Sequence, residues 1–351
     1  MRDLTAQQTR QLIDVEQLYA SYRNVRRELD GRFSGSIAWK TVKGRDYLYR
    51  KRLSEWKSLG PRDTRTEEIF DAFKTGREQL RERRRTLDKR LREMAPVNKA
   101  MRLGRVPLIS ARLLRKIERL GLLGHGLKVA GTHALYAYEL MGGVHFGEEA
   151  ITTLDIDLLY DERGSLKLVS AELQESGLMG ILRSQDASFR PTEANSFRAA
   201  NDEGFMVDLI TPSVRAPATR NFQARIGSAV DDLAAAEIDG LAWLENVPPV
   251  TRIVIDEGGY PLTLVAPDPR AFACHKAWLA RRDDREPMKR RRDLLQARSV
   301  AKMLVTRLPA MRFDDAALKA VPAELLRLGQ ELAEAGARQS AAERLVGDWD
   351  S

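Results

Sequence analysis

Cysteine is nearly absent from this chain of 351 residues: Cys274 stands alone, and one thiol cannot close a disulfide within its own chain, so a packed thiol is expected there. Histidine is almost as scarce. The four, at 125, 133, 145 and 275, are too scattered to give the ligand spacing of a zinc site. No apolar run approaches the length that crosses a bilayer, and the opening Met1-Arg2-Asp3-Leu4-Thr5-Ala6-Gln7-Gln8 lacks the apolar stretch of a secretion signal, so the sequence predicts a cytoplasmic protein with no membrane partner. Internal repeats and long low-complexity tracts are missing too. With 43% apolar and 31% charged residues, the composition is that of a globular chain long enough for two domains or three.

Charge is abundant and unevenly placed. Residues 1–120 hold 31 Lys+Arg against 16 Asp+Glu, a net +15, whereas residues 121–351 hold 27 against 34, a net −7. A basic front half suits a polyanionic partner, of which nucleic acid is the commonest; the alternative is an arginine-rich helical surface that serves solubility.

The periodicity changes along the chain. Leu18, Tyr22, Val25 and Leu29 recur at helical spacing and predict a helix over 5–30; Ile69, Phe73, Gly76, Leu80, Leu87, Leu91 and Met94 predict a longer one over 64–94, with Arg83-Arg84-Arg85 on its solvated face. Between them, β-branched and aromatic residues flank Lys43-Gly44, the pattern of a hairpin over 36–50. Trp39, Tyr47 and Tyr49 interleave there with Lys40, Lys43, Arg45 and Arg50, an arrangement that stacks bases while gripping phosphates or, equally, packs a small sheet. After a short helix at 109–120, a glycine-rich junction at 121–126 marks a boundary. Beyond it the pattern predicts a strand at 127–130, a helix at 133–140, a strand around Asp155 and a helix at 165–177. Paired strands at 188–199 and 204–211, a helix at 229–243 and a hairpin over 251–265 turning at Gly258-Gly259 follow. Helices at 268–282, 288–306 and 314–336 precede a frayed Ala-rich tail.

Chemistry concentrates in three places. In Thr153-Leu154-Asp155-Ile156-Asp157-Leu158-Leu159, alternation puts both carboxylates on one side of a strand and turns Leu154, Ile156 and Leu158 to the core. Composition alone yields about seven acid-x-acid triplets in such a chain, so the apolar setting and the partners matter more than the triplet. Paired carboxylates on a rigid element repel unless a cation such as Mg2+ lies between them. Gly131-Thr132 falls between a strand and a helix, where glycine permits close backbone approach, threonine can cap the helix and the free N–H groups can hold a phosphate; a plain N-cap is the alternative. Asp208 interrupts the apolar strand Gly204-Phe205-Met206-Val207-Asp208-Leu209-Ile210, and a buried carboxylate without a partner is costly. If the two strands are neighbours, three carboxylates converge on one face opposite a phosphate-binding turn, the layout of a phosphoryl-transfer site.

This order of elements resembles the nucleotidyltransferase superfamily that includes DNA polymerase β and poly(A) polymerase. Val129-Ala130-Gly131-Thr132-His133-Ala134-Leu135 and Thr153-Leu154-Asp155-Ile156-Asp157-Leu158 are similar to minimal bacterial nucleotidyltransferases, abortive-infection toxin types among them, with Ala130 in place of a first glycine. His275-Lys276-Ala277-Trp278 and Lys289-Arg290-Arg291-Arg292-Asp293 extend the likeness over residues 125–306. The resemblance implies an α+β fold with a small mixed sheet flanked by helices. Charge and periodicity add a basic, mainly helical region carrying a hairpin at 1–122, and with the resemblance they divide the rest into a catalytic core at 123–265 and a helical region at 266–351. By the same resemblance, Asp155, Asp157 and Asp208 would bind Mg2+ or Mn2+, as two ions, and Asp208 would activate the attacking hydroxyl. Gly131 and Thr132 would hold the β and γ phosphates of ATP or another NTP, Lys276 would contact the triphosphate, and Asp293 would support. For Lys276 and Asp293 the alternatives are a solvated lysine and a structural ion pair. The implied reaction moves an NMP from an NTP to a hydroxyl and releases pyrophosphate; the basic front half favours RNA, such as a tRNA end, as the acceptor, bound through residues 1–120. Other readings are a retired scaffold that binds nucleic acid or regulates, and a toxin acting on protein or tRNA.

Overall fold

The computed structural model describes residues 1–52, 55–161, 163, 171–213 and 224–347. It divides into two compact units: Arg10–Leu103 with Gly258–Pro261 in one, and Met1–Thr9, Gly104–Glu257 and Leu262–Ser351 in the other.

Strand β1 (Arg2–Asp3) opens the chain, followed by helix α1 (Ala6–Asp30), strands β2 (Ser36–Val42), β3 (Arg45–Arg52) and β4 (Glu55–Pro61), and helix α2 (Thr64–Ala100). The expected hairpin is thus two strands of a three-stranded antiparallel sheet; the third, Glu-Trp-Lys-Ser-Leu-Gly-Pro, has too little alternation to announce itself. Ile37 and Leu48 pack from this sheet onto Phe33 and Phe73. Asp63 starts α2 with a capping box: its carboxylate accepts from the Thr66 amide at 2.8 Å while the Thr66 hydroxyl accepts from the Asp63 amide at 2.9 Å. The helix runs past the expected end at 94 and contains Pro96.

The larger unit continues with α3 (Leu108–Arg119), β5 (Leu127–Val129), a 3-10 turn (Thr132–Ala134), α4 (Leu135–Gly142), β6 (Val144–His145), α5 (Glu148–Ile151) and β7 (Asp155–Tyr160). Then come α6 (Ala171–Gln185), β8 (Arg190–Pro191), β9 (Arg198–Ala200), β10 (Met206–Pro212), β11 (Ala236–Ile238) and α7 (Leu241–Glu245). Strands β12 (Val250–Ile255) and β13 (Pro261–Ala266) pair with each other, and α8 (Pro269–Leu279), α9 (Pro287–Arg307) and α10 (Ala323–Gly347) complete the described chain. The main sheet has the order β5-β7-β10-β9-β8, with β11 also on β10. β7 and β10 are parallel, and β5 and β9 run antiparallel to their partners. The fold is mixed α+β, and the core lies where Ile156, Leu158, Val207 and Leu209, all fully buried, meet the surrounding helices.

Four local expectations change. Leu154 lies just before β7 and is 68% exposed rather than packed. The Ala-rich segment expected as a helix over 229–243 instead forms β11, paired in parallel with Ile210–Pro212, before left-handed Gly240 (φ 83°) admits the short α7; an available sheet edge overrides helix propensity. The tail expected to fray continues as helix to Gly347, as alanine favours. Of the helix expected at 165–177, residues 165–170 lie outside the described chain, and the observed α6 turns sharply at Gly177 (φ 60°).

Candidate active site

β7 lies between β5 and β10 in the main sheet, and its first three residues are Asp155-Ile156-Asp157. With Ile156 buried completely, the two aspartates remain partly exposed on the opposite side. The parallel register sets Asp208 of β10 directly beside Asp157, and Met206 beside Asp155. The expectation that the two acidic strands are neighbours is met.

On the other edge of β7, the backbone of Ala130 donates to the carbonyl of Asp157 at 2.9 Å, which holds the turn after β5 against the acidic strand. Gly131 there has φ 55° and ψ −149°, a conformation for glycine alone. A side chain would also have no room: a Cβ on Gly131 would stand 1.8 Å from Oδ2 of Asp157. The glycine thus lets a carboxylate lie directly on the backbone of the turn.

Thr132 opens the 3-10 turn without capping it through its side chain. Its buried hydroxyl instead accepts from Arg292 at 3.1 Å and from Gln296 at 3.2 Å, both on α9. These two donors also tie α9 to the carbonyls of Thr152 and Ala150, so the helix, the turn and the approach to β7 are held together.

The electrostatics are those of a crowded acidic cluster with basic neighbours. Burial, and after it the charge of Asp155, push the Asp157 carboxyl up to about 6; Asp208 adds to the rise, while Lys276 and Arg198 oppose it. Asp155 accepts from the Thr153 hydroxyl. Asp208 is clasped by Arg198, which faces it across β9–β10 and donates from two nitrogens, each at 2.6 Å. Lys276, buried on α8, donates to Asp293 of α9 at 2.8 Å, and Arg285 donates to the other oxygen of Asp293 at 3.0 Å. Asp293 is therefore the middle of an ion-pair triad in which it and Lys276 are buried and Arg285 is about one-third exposed, and Lys276 is held by it rather than solvated. Among the described residues no group of three or more acidic, histidine or cysteine side chains is disposed to hold a metal ion.

Arg198, Arg285 and Gln296 are missing from the residues that the sequence singles out, and Arg292 enters there only as part of the basic segment before Asp293. For Arg198 a signal existed, since the turn at Asn201–Gly204 folds it opposite Asp208. The histidines stay outside the chemistry. His133 is buried, with Nε2 2.8 Å from the Ser110 hydroxyl, and burial brings it down to about 4; His275, also buried, falls to about 3. Cys274 is a fully buried free thiol that burial pushes up to about 12.

A family model described as nucleotidyltransferase matches residues 109–322, a span that runs from α3 to the residue before α10 and takes in every side chain of this site. No curated protein and no solved structure matches the chain.

Proposed function

The chain belongs to the nucleotidyltransferase family, and on that premise we propose that Asp155, Asp157 and Asp208 form the centre where an NTP gives up its NMP to a hydroxyl acceptor. One observation carries the reading: β7 and β10 pair so that Asp208 lies beside Asp157, while the turn at Gly131 presses its backbone on the same carboxylate. A turn that accepts a carboxylate this closely also lets a phosphate approach the acids from the backbone side.

Enzymes of this family generally use divalent ions. Asp155 and Asp157 fit Mg2+ or Mn2+, being hard oxygen donors whose mutual repulsion helps raise Asp157 to about 6. Asp208 fits as a third donor once Arg198 releases it. Two such ions, when bound, would supply positive charge at the α-phosphate and the leaving oxygen.

The chain's own residues do the rest. Gly131 and Thr132 take the β and γ phosphates, with Thr132 oriented by Arg292 and Gln296. Lys276 turns from Asp293 to the triphosphate, and Arg285 keeps Asp293 neutralised. Asp208 accepts the proton of the acceptor hydroxyl as Arg198 moves to phosphate. The acceptor oxygen bonds to the α-phosphorus, the bond from that phosphorus to the bridging oxygen breaks, and pyrophosphate leaves. RNA, such as a tRNA end, is the acceptor that the basic residues 1–120 favour.

A second reading has its own support. Arg198 fills Asp208 and Asp293 fills Lys276, as suits a retired scaffold that binds without turnover. Incubation with each labelled NTP, Mg2+ or Mn2+, and RNA, protein or no acceptor separates the two. Label transfer by the parent chain, lost at least a hundredfold in Asp155→Ala, supports the enzyme; no transfer to any acceptor, or transfer that survives the substitution, rejects this site.

A further inference from the structure

The sheet β2-β3-β4 has two unlike faces. Ile37 and Leu48 on one are buried against Phe33 and Phe73. By strand alternation the other carries Ala38, Lys40, Tyr47, Tyr49, Lys51 and Trp56. Register sets these side by side across the strands: Lys40 faces Tyr47, Ala38 faces Tyr49, and Lys51 faces Trp56.

No acid shares this face. The sheet's two acids, Asp46 and Glu55, stand opposite Thr41 and Arg52, and so fall on the other side. Trp56 is 41% exposed, although an indole of this size gains much by burial. The Lys40 ammonium sits 3.5 Å from the Trp56 ring centre and 5.4 Å from that of Tyr49, and Lys51 is 5.7 Å from Trp56. Three rings and two ammonium groups therefore form one continuous patch with cationic charge only.

We propose that this face is a platform for single-stranded RNA, with bases stacked on Trp56, Tyr49 and Tyr47 and phosphates held by Lys40 and Lys51. The charge selects a polyanion, and the rings select one that has flat, exposed bases. A duplex offers its phosphates but keeps its bases stacked inside. The choice of RNA over DNA rests on the reading given above, in which an RNA hydroxyl is the acceptor. The platform itself does not.

The test is fluorescence anisotropy of the full chain with a labelled oligouridylate of about twelve nucleotides, in EDTA and without NTP. Transfer is then impossible, so the result stands apart from catalysis. Trp56→Ala is expected to weaken binding about tenfold or more, while Trp56→Phe keeps most of the affinity. Lys40→Ala with Lys51→Ala is expected to weaken it and to lower the salt slope by about one to two. Inorganic polyphosphate and duplex RNA should compete poorly. The platform is overturned if folded Trp56→Ala and the double lysine variant bind like the parent, or if polyphosphate or duplex RNA competes as well as the oligouridylate. Tighter binding of oligodeoxythymidylate than of the RNA overturns the choice of nucleic acid.

Discussion

Gly131 shows how much can rest on a missing side chain. Replacing it by alanine forces a Cβ into the Asp157 carboxylate, at 1.8 Å before relaxation, and adds the strain of φ 55° with ψ −149°. Gly131→Ala is expected to cost about 2 kcal/mol of stability and, because relief must move Asp157 or the turn, at least tenfold in transfer rate. Gly143→Ala is the control: it too has positive φ (62°), but nothing lies within 4 Å of its Cβ, so it should cost about 1 kcal/mol and leave the rate unchanged. Urea melts and single-turnover assays of both variants check this, and equal effects on rate would refute the steric argument. The strand-turn-helix setting made Gly131 conspicuous in the sequence. Its contact with Asp157 was not legible, because it depends on the pairing of Val129 with Leu158, a register between distant segments that no local pattern encodes. Thr132 misled for a similar reason: a threonine at the start of a helix reads as a cap, yet its hydroxyl is taken by Arg292 and Gln296, about 160 residues away.

At the scale of elements, β9 and β10 form a unit that carries the Arg198–Asp208 clasp. The strands were legible from alternation and from the turn between them, whereas the clasp needed the cross-strand register. Conversely, β11 was lost to the helical propensity of its alanines, since only β10's free edge makes a strand of it. Removing Arg198 would leave Asp208 without its partner next to Asp157, two carboxylates in register. Arg198 is about one-third exposed, so solvent screens part of that penalty, and Arg198→Ala is expected to lose about 1–2 kcal/mol in EDTA. Mg2+ or Mn2+ should then restore more stability to the variant than it adds to the parent, because the third carboxylate is open from the start. Thermal melts with and without the ion measure both quantities. Equal ion-induced shifts in the two proteins would show that the clasp does not compete with a cation for Asp208.

For the whole molecule, titratable groups shifted in opposite senses, the buried His133 and His275 and the partly exposed Asp157, shape the response to acid. His133 and His275 stay neutral when folded, at about 4 and about 3, whereas an unfolded histidine titrates near 6.5. As pH falls from 6.5 toward 4, the unfolded chain gains protons that the folded chain refuses, so stability drops by about 1.4 kcal/mol per pH unit for each histidine. Asp157 acts the other way. Folded, it keeps its proton up to about 6, and unfolded it releases it near 3.8; between these values the folded chain binds the extra proton, and stability gains as pH falls. The parent's decline from pH 6 to 4 is therefore shallower than its histidines alone would make it. Asp157→Asn removes the compensation. That variant is expected to be more stable than the parent at pH 7.5 in EDTA, by at most about 3 kcal/mol, and to lose the advantage steadily as the pH is brought to 4. Urea unfolding followed by circular dichroism at pH 7.5, 6, 5 and about 4 traces both curves. Parallel curves would mean that burial and the charge of Asp155 do not raise Asp157 in the folded chain, and the proposal that this pair holds a cation would lose its electrostatic support.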